Sequence, residues 1–313
     1  MMAAPERKKI AAILTWYTVG SHSDVLVGKF LPGRGIPADD GFHDLRVDLV
    51  SMYIDQTPEG TGDPAICLPH ETGTSGDIGL GLAEIHGVPV YSSIRQALCL
   101  GGEELAVDGV ILIGEHGDYP WNEKGQHLFP RKYFMEQICG VFASSGRSVP
   151  VFNDKHLSYD WHDAKWMYDK AIELDVPFMA GSSLVNCYRN PPLEHELEAP
   201  IKEALAVGFS GLDIYAAHTL EVLQCMVERR KGGESGVVAV TYLEGKHVWE
   251  AADAGLWSYS LAEAACASIK EVADGVPGVT AGGTMKELCT WPGLILIECA
   301  RAACRLARRT HEL

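Results

Sequence analysis

Short runs of β-branched and other apolar residues alternate with longer amphipathic segments through most of this 313-residue chain. Residues 110–114 (VILIG) are the clearest such run, and an uninterrupted apolar strand is typical of a sheet that is covered on both faces. Alternation of this kind indicates βαβ units, in which successive strands are parallel and the helices between them pack on the sheet. The sequence therefore predicts an α/β fold with a Rossmann-like parallel sheet.

The predicted elements divide into two groups along the chain. Prolines 191, 192 and 200 interrupt the pattern, so we expect a Rossmann-like N-terminal domain over residues 1–185 and a smaller α/β (α+β) domain over 186–313. The tail from Cys299 is rich in Ala, Arg and Cys, and we expect a closing helix there or a domain that is altered or cut short. The predicted strands are 9–17, 46–55, 88–91, 110–114, 149–153 and 177–180, and the predicted helices are 24–31, 78–86, 93–100, 131–144 and 160–174. In the smaller domain we expect helical and strand segments at 201–207, 212–216, 220–230, 237–243 and 261–272.

Composition narrows the functions open to the chain. A net charge of −16 argues against nucleic-acid and anionic-membrane partners, which need a basic face. Nine cysteines without a CxxC pair fit a reduced, cytoplasmic compartment, and no apolar run approaches the roughly 18 residues of a membrane span. The apolar run near the start continues into Thr15 and Trp16 without a cleavage site, so we expect a first strand there and no signal peptide. We expect a cytoplasmic homo-oligomer that acts on a small molecule.

Ionisable residues follow three of the predicted strands. In open α/β sheets ligands bind outside the carboxyl ends of the strands, so these residues are expected to share one cleft. Imidazole and carboxylate together suit general acid–base catalysis, and the same groups also bind divalent metals. Contact with substrate, metal binding and a structural role all remain open for each of them. The tentative metal ligands are His22, Asp24, His116, Asp118 and His156.

The first predicted turn departs from the dinucleotide fingerprint GxGxxG. Only Gly20 remains of the three glycines, and His22 lies where the backbone would have to approach a pyrophosphate. Asp55 ends the second strand and could hold a ribose, although it is further from Gly20 than the usual spacing of about 20 residues. These residues argue against ordinary NAD binding.

Several segments nevertheless resemble the glucose–fructose oxidoreductase/inositol dehydrogenase (Gfo/Idh/MocA) family. They are HGVPVYSSIRQAL (86–98), VDGVILIGEH (107–116) and the strand end PVFNDKH (150–156). In the last segment Asp154 and Lys155 stand where the family has a glutamate and its catalytic lysine. AAHTLE (216–221) is similar to the family's GxHxxD segment, with His218 as acid/base and Glu221 as its companion. The resemblance covers roughly residues 9–245.

The resemblance implies an oxidoreductase that acts on a small polyhydroxylated or polar substrate with NAD or NADP. One alternative is a metal-dependent lyase or hydrolase on the same fold, and another is a ligand-binding protein without catalysis. For the oxidoreductase, the expected catalytic residues are Lys155, His218, Asp154 and His116. The expected cofactor contacts are Gly20, Ser21, His22, Asp55 and Glu115.

Overall fold

A computed structural model describes residues 7–32, 46–57, 76–187, 189, 192–208, 211–272, 284–299 and 303–308. The chain divides into two compact units, Met1–Gly181 and Ser182–Leu313. The sequence predicts the division a few residues later, after residue 185. Across the described residues, no helix is both long and apolar enough to span a membrane.

The first unit contains a parallel five-stranded sheet. Its strands are β1 (Lys8–Leu14), β2 (Val47–Ile54), β3 (Gly109–Ile113), β4 (Val151–Asp154) and β5 (Phe178–Gly181), in the order β2-β1-β3-β4-β5. This confirms the predicted fold class.

A further short edge extends this sheet beyond β2. Val90 forms a parallel bridge with Met52, and the Tyr91 N–H donates to the Met52 carbonyl at 2.8 Å. When this bridge is counted as an edge strand, the spatial order in chain numbering becomes 3-2-1-4-5-6, the usual order of a Rossmann sheet. The winding therefore reverses between β1 and β3, and such a switch point is where α/β proteins bind ligands.

Within the described part of this unit, five helices pack on the two faces of the sheet. They bury alternating strand residues: Ile13 and Leu112 belong to one apolar layer, while Leu14 and Ile113 belong to the layer on the opposite face. The helices are α1 (His22–Val27, continued by a 3-10 turn at Gly28–Phe30), α2 (Gly79–His86), α3 (Ile94–Cys99), α4 (Arg131–Ser145) and α5 (Trp161–Glu173).

The second unit combines helices with an antiparallel sheet of order β6-β7-β8. One helix replaces the two segments predicted over 212–230, and residues 201–207 form neither helix nor strand. A 3-10 turn (Ser183–Asn186) begins this unit. Its other elements are α6 (Leu212–Val227), β6 (Val237–Glu244), α7 (Lys246–Asp253), α8 (Tyr259–Val272), α9 (Met285–Leu288), β7 (Gly293–Cys299) and β8 (Ala303–Arg308).

The closing helix expected from Cys299 onward is wrong. Cys299 ends β7, and the segment Ala303–Arg308 returns antiparallel to it, with Ile295 opposite Leu306. Ala and Arg have high helix propensities, but pairing with a neighbouring strand along a ladder of backbone hydrogen bonds overrides that local preference here.

Candidate functional site

Three strand ends of the first unit meet at the β1/β3 switch point. His22 begins the helix after β1, His116 follows β3, and Asp154 ends β4. The rings of His22 and His116 lie 5.3 Å apart between centroids, and His22 Nδ1 is 2.5 Å from Asp154 Oδ2. The convergence that the sequence predicts is therefore observed for these three residues.

Local backbone geometry positions this cluster. The Thr15 hydroxyl donates to the Glu115 carbonyl at 2.7 Å, which joins the ends of β1 and β3, and the Ser21 side chain caps α1. His116 and Lys155 have φ values of 64° and 65°, in the left-handed region that costs a residue with a Cβ about 1 kcal/mol or more. Non-glycine residues in such conformations cluster at functional sites.

A buried ionic network lies directly behind the cluster. Glu115 Oε2 is 3.0 Å from Lys155 Nζ, and its Oε1 accepts a hydrogen bond from Arg131 Nη2. All three side chains are buried, with exposures of 1 to 4%. Arg131 Nη1 also lies 3.3 Å from His156 Nε2. One carboxylate thus compensates two cations, and Lys155 is paired at the end of β4.

Arg131 was missed by the sequence analysis. It is the first residue of α4, and nothing in its sequence neighbourhood marks it as a site residue. A signal exists at Gly114, because a Cβ built there would lie 2.5 Å from Arg131 Cγ. A glycine directly after an apolar, buried strand indicates that another group approaches the backbone closely.

The electrostatics of the cluster keep His116 neutral at pH 7. His116 is an exposed residue, yet enough protein surrounds its ring that loss of solvation is the first cause lowering its pKa, to about 4. Coulombic interactions with His22 and Lys155 lower it further. Asp154 is fully buried, and its Oδ1 has no hydrogen-bond partner among the described residues. A buried acceptor of this kind is usually met by a water or a ligand donor.

The first turn does not fit a dinucleotide in the usual Rossmann manner. The Gly20 N–H, which would face a pyrophosphate, donates to Asp24 Oδ2 at 2.9 Å. Ser21 Oγ accepts from the N–H groups of Thr18 and Asp24 at 3.3 Å each. Helix α1 has only six residues, and the carboxylate of Asp24 lies in its first turn. The position that favours a phosphate therefore already holds a negative charge.

Asp55, the predicted ribose contact, is also engaged. Its Oδ1 accepts from the Tyr53 hydroxyl at 2.6 Å and its Oδ2 from the Tyr119 hydroxyl at 2.7 Å. Burial and the Asp55 carboxylate raise the pKa of both tyrosines, so both hydroxyls remain protonated donors. Both oxygens of the carboxylate are thus occupied by the chain itself.

The tentative metal ligands are not assembled around one point. Among the described residues no three His, Cys, Asp or Glu side chains form a group that could hold a metal ion. Asp24 accepts from the first turn, His156 faces the Arg131 guanidinium, and Asp118 exchanges two backbone hydrogen bonds with the Gln56 side chain.

The second unit holds a separate cluster that contains the predicted His218. His218 Nδ1 lies 2.5 Å from Ser182 Oγ, and both residues are buried. Burial raises the pKa of Glu221, and a hydrogen bond from the Ser182 N–H acts in the opposite direction. His218 and Glu221, which the family resemblance pairs, therefore both contact Ser182, a residue that the sequence analysis did not single out.

Comparison with known proteins gave matches only among solved structures. No family model matches the chain, and no curated protein does. A protein from Bordetella bronchiseptica RB50 described as a dehydrogenase matches with a TM-score of 0.48 and 11% identity, over 97% of this chain and 60% of that one. GenD2 from gentamicin A biosynthesis, solved in complex with NAD, matches with a TM-score of 0.47 and 16% identity, over 97% and 66%.

A third match is the UDP-N-acetylglucosamine 3-dehydrogenase GnnA from Acidithiobacillus ferrooxidans. Its TM-score is 0.49 at 10% identity, over 98% of this chain and 71% of that one. The chain spans less than two thirds of the length of the Bordetella bronchiseptica protein and of GenD2. Two of these three proteins are described as dehydrogenases.

Proposed function

We propose that the protein is an enzyme that moves a proton to or from a hydroxyl or carbonyl group of a small polar substrate at the β1/β3 switch point. The contact between His22 and Asp154 carries this proposal. The imidazole is 21% exposed, whereas the carboxylate that holds it is fully buried. A partly exposed histidine oriented by a buried carboxylate is the arrangement of a general base and its orienting group.

The chemistry follows from the atoms that this contact uses. Asp154 Oδ2 accepts a hydrogen bond from His22 Nδ1–H, which fixes the tautomer in which Nε2 is the basic nitrogen. Nε2 can then take a proton from a substrate hydroxyl and return it later. Neutral His116 stands beside His22 as a second imidazole that can form hydrogen bonds with a substrate.

Lys155 has a supporting position in this arrangement. The family resemblance makes it the proton-relay residue, and we retain it as a candidate. Its ammonium group is buried against Glu115, next in sequence to Asp154. There it contributes a positive charge that lowers the pKa of His116 and so helps to keep that ring neutral.

Two reaction classes use such a proton transfer. The first candidate is an oxidoreductase of the Gfo/Idh/MocA type on a polyhydroxylated substrate, which the resemblance and the Rossmann strand order favour. NAD or NADP would supply the hydride chemistry when bound. The second candidate is an isomerase that moves a proton within its substrate, or a lyase in which removal of a proton is coupled to departure of a leaving group from the substrate. The hydrogen bond from Gly20 to Asp24 favours the second, because it occupies the usual phosphate position.

Substrate screening in D₂O tests the proposal. Inositols, aldoses and 2-hydroxy acids would be incubated with the protein, with and without NAD(P), and followed by NMR for deuterium incorporation or turnover. We expect His22→Gln to lower the rate by about 10²- to 10⁴-fold. His162→Gln, on the exposed first turn of α5, is the matched control and should keep the wild-type rate. An unchanged rate in His22→Gln would refute the proposal.

A further inference from the structure

We infer that this chain does not hold a dinucleotide in the usual Rossmann position, because its own Asp24 and Tyr119 occupy the two anchor points. The inference selects between the two candidate classes above. It depends on residues other than His22 and Asp154, so either conclusion can fail while the other stands.

The first anchor point is the turn between β1 and α1. A Rossmann sheet binds pyrophosphate there through backbone N–H groups and the positive end of the following helix. In this chain the Gly20 N–H is used by Asp24 Oδ2, and Ser21 Oγ accepts from two further amides of the turn. A bound pyrophosphate would have to displace a carboxylate and then lie beside it. The negative charges of the Asp24 carboxylate and of the phosphate would repel each other, so the turn disfavours any phosphate.

The second anchor point is the acidic residue at the end of β2. In dinucleotide-binding proteins such a carboxylate accepts hydrogen bonds from the ribose hydroxyls. Asp55 instead accepts from the hydroxyls of Tyr53 and Tyr119 at 2.6 and 2.7 Å. A ribose would have to replace both donors, and Tyr119, which lies in the loop after β3, would have to move away from Asp55.

Contacts on several sides hold Tyr119 in this place. Its carbonyl lies 2.9 Å from His127 Nε2, and its ring packs edge-on against Phe129 with centroids 5.8 Å apart. Gly117 has a φ of 119°, and a Cβ built on it would lie 2.5 Å from the Tyr119 ring. The turn therefore requires a glycine, because any larger residue would clash with the ring in its observed position. This loop is therefore built to place a hydroxyl on Asp55.

Two hydrogen bonds fasten the same loop to the end of β2. Gln56 Nε2 donates to the Asp118 carbonyl at 3.0 Å, and Gln56 Oε1 accepts from the Asp118 N–H at 2.7 Å. The loop after β3 is thus bound to the β2 end by one side-chain amide and by the tyrosine hydroxyl. The β1/β3 edge, with His22 and Asp154, is left for a ligand that carries no pyrophosphate.

Nucleotide titration of the full chain tests the inference. The probes are NAD⁺, NADH, NADP⁺ and NADPH, measured by calorimetry and by shifts of the assigned backbone amides of Gly20, Asp55 and Tyr119 in ¹⁵N NMR spectra. We expect no saturable binding up to about 1 mM and no shift of these amides. Saturable binding tighter than that, with shifts at Gly20 and Asp55, would overturn the inference and would leave the role of His22 intact.

A double variant tests whether these two side chains are the excluding groups. Asp24→Ser with Tyr119→Phe removes the carboxylate and the competing hydroxyl. We expect it to bind at least one nucleotide at least tenfold more tightly than the wild type. Asp163→Ser with Tyr168→Phe, on α5 of the same unit, is the matched control and should bind no better than the wild type. Equal affinity in the double variant and the wild type would overturn the assignment of Asp24 and Tyr119.

Discussion

Asp154 contacts the imidazole of His22 from the protein interior, with 2.5 Å between Asp154 Oδ2 and His22 Nδ1. The carboxylate has no exposed surface, whereas the imidazole is one-fifth exposed. The two residues are 132 positions apart in the chain. The parallel sheet brings them together, because β4 ends next to β3 and β3 lies next to β1. The buried Asp154 carboxylate can therefore orient the partly exposed His22 imidazole, as a proton acceptor, toward a ligand.

The tautomer of His22 is the first testable consequence. With Asp154 as acceptor, the proton should reside on Nδ1, and Asp154→Asn should shift the tautomer population because the new amide can donate as well as accept. The ¹⁵N chemical shifts of the imidazole nitrogens report this population directly. Asp169→Asn, on the exposed side of α5, should leave the shifts of His22 unchanged. An Nδ1–H tautomer that persists in Asp154→Asn would contradict the assigned geometry.

The Glu115 carboxylate should be a major determinant of stability. Glu115→Gln removes the negative charge that compensates the buried Lys155 and Arg131, so two cations remain in a site with little solvent. We expect the free energy of unfolding to fall by about 3 kcal/mol or more, as for other buried ion pairs that lose one partner.

Urea denaturation followed by circular dichroism measures this loss. Glu136→Gln is the matched control, because Glu136 forms a partly exposed i,i+4 pair with Lys132 on α4 and should contribute less than about 1 kcal/mol. Equal losses in the two variants would show that the Glu115 network does not stabilise the fold.

His116 should make stability depend on pH below neutrality. Its pKa is about 4 in the folded protein against an ordinary 6.5, so between these values the unfolded chain binds a proton that the folded chain does not. Stability should therefore fall as the pH is lowered from about 6.5 to about 4 and should level off below that.

The size of this effect is limited, because His116 is exposed and solvent screens its charge; we expect less than about 1 kcal/mol. Urea midpoints measured at several pH values for the wild type and His116→Asn give the difference. The variant should lack this part of the pH dependence, and His162→Asn should retain it. The prediction would be contradicted if the stability of the wild type, relative to that of His116→Asn, increased as the pH was lowered toward 4.

Much of the first unit could be predicted from sequence because its central strands are mostly apolar, and β3 is buried along its whole length. The predicted strand 110–114 differs from β3 by one residue at each end. Parallel strands place their carboxyl ends at one edge, so a meeting of His22, His116 and Asp154 followed from topology. The pairing of β8 with β7 did not follow, because the Ala- and Arg-rich segment takes its conformation from the neighbouring strand.

The detailed roles at the site could not be predicted in the same way. Tyr119 and Asp55 are 64 positions apart, and only the folded loop shows that the carboxylate is already hydrogen-bonded. Arg131 begins a helix like many other arginines, and its importance arises from burial against Glu115. Residue types indicated acid–base chemistry, but the partner of each group depends on packing that no local pattern records.

Ser182 should control both the stability of the second unit and the state of His218. Its hydroxyl lies 2.5 Å from His218 Nδ1 and accepts from the Leu184 N–H at 3.1 Å, so Ser182→Ala removes one buried and one partly buried interaction. We expect a loss of about 1 to 3 kcal/mol in the free energy of unfolding, together with a change in the ¹⁵N shifts of the His218 ring. Ser182→Thr keeps the hydroxyl and should restore the ring shifts. Ser183→Ala, one residue along, should change stability by less than about 0.5 kcal/mol, and a similar loss in both alanine variants would refute a specific role for Ser182.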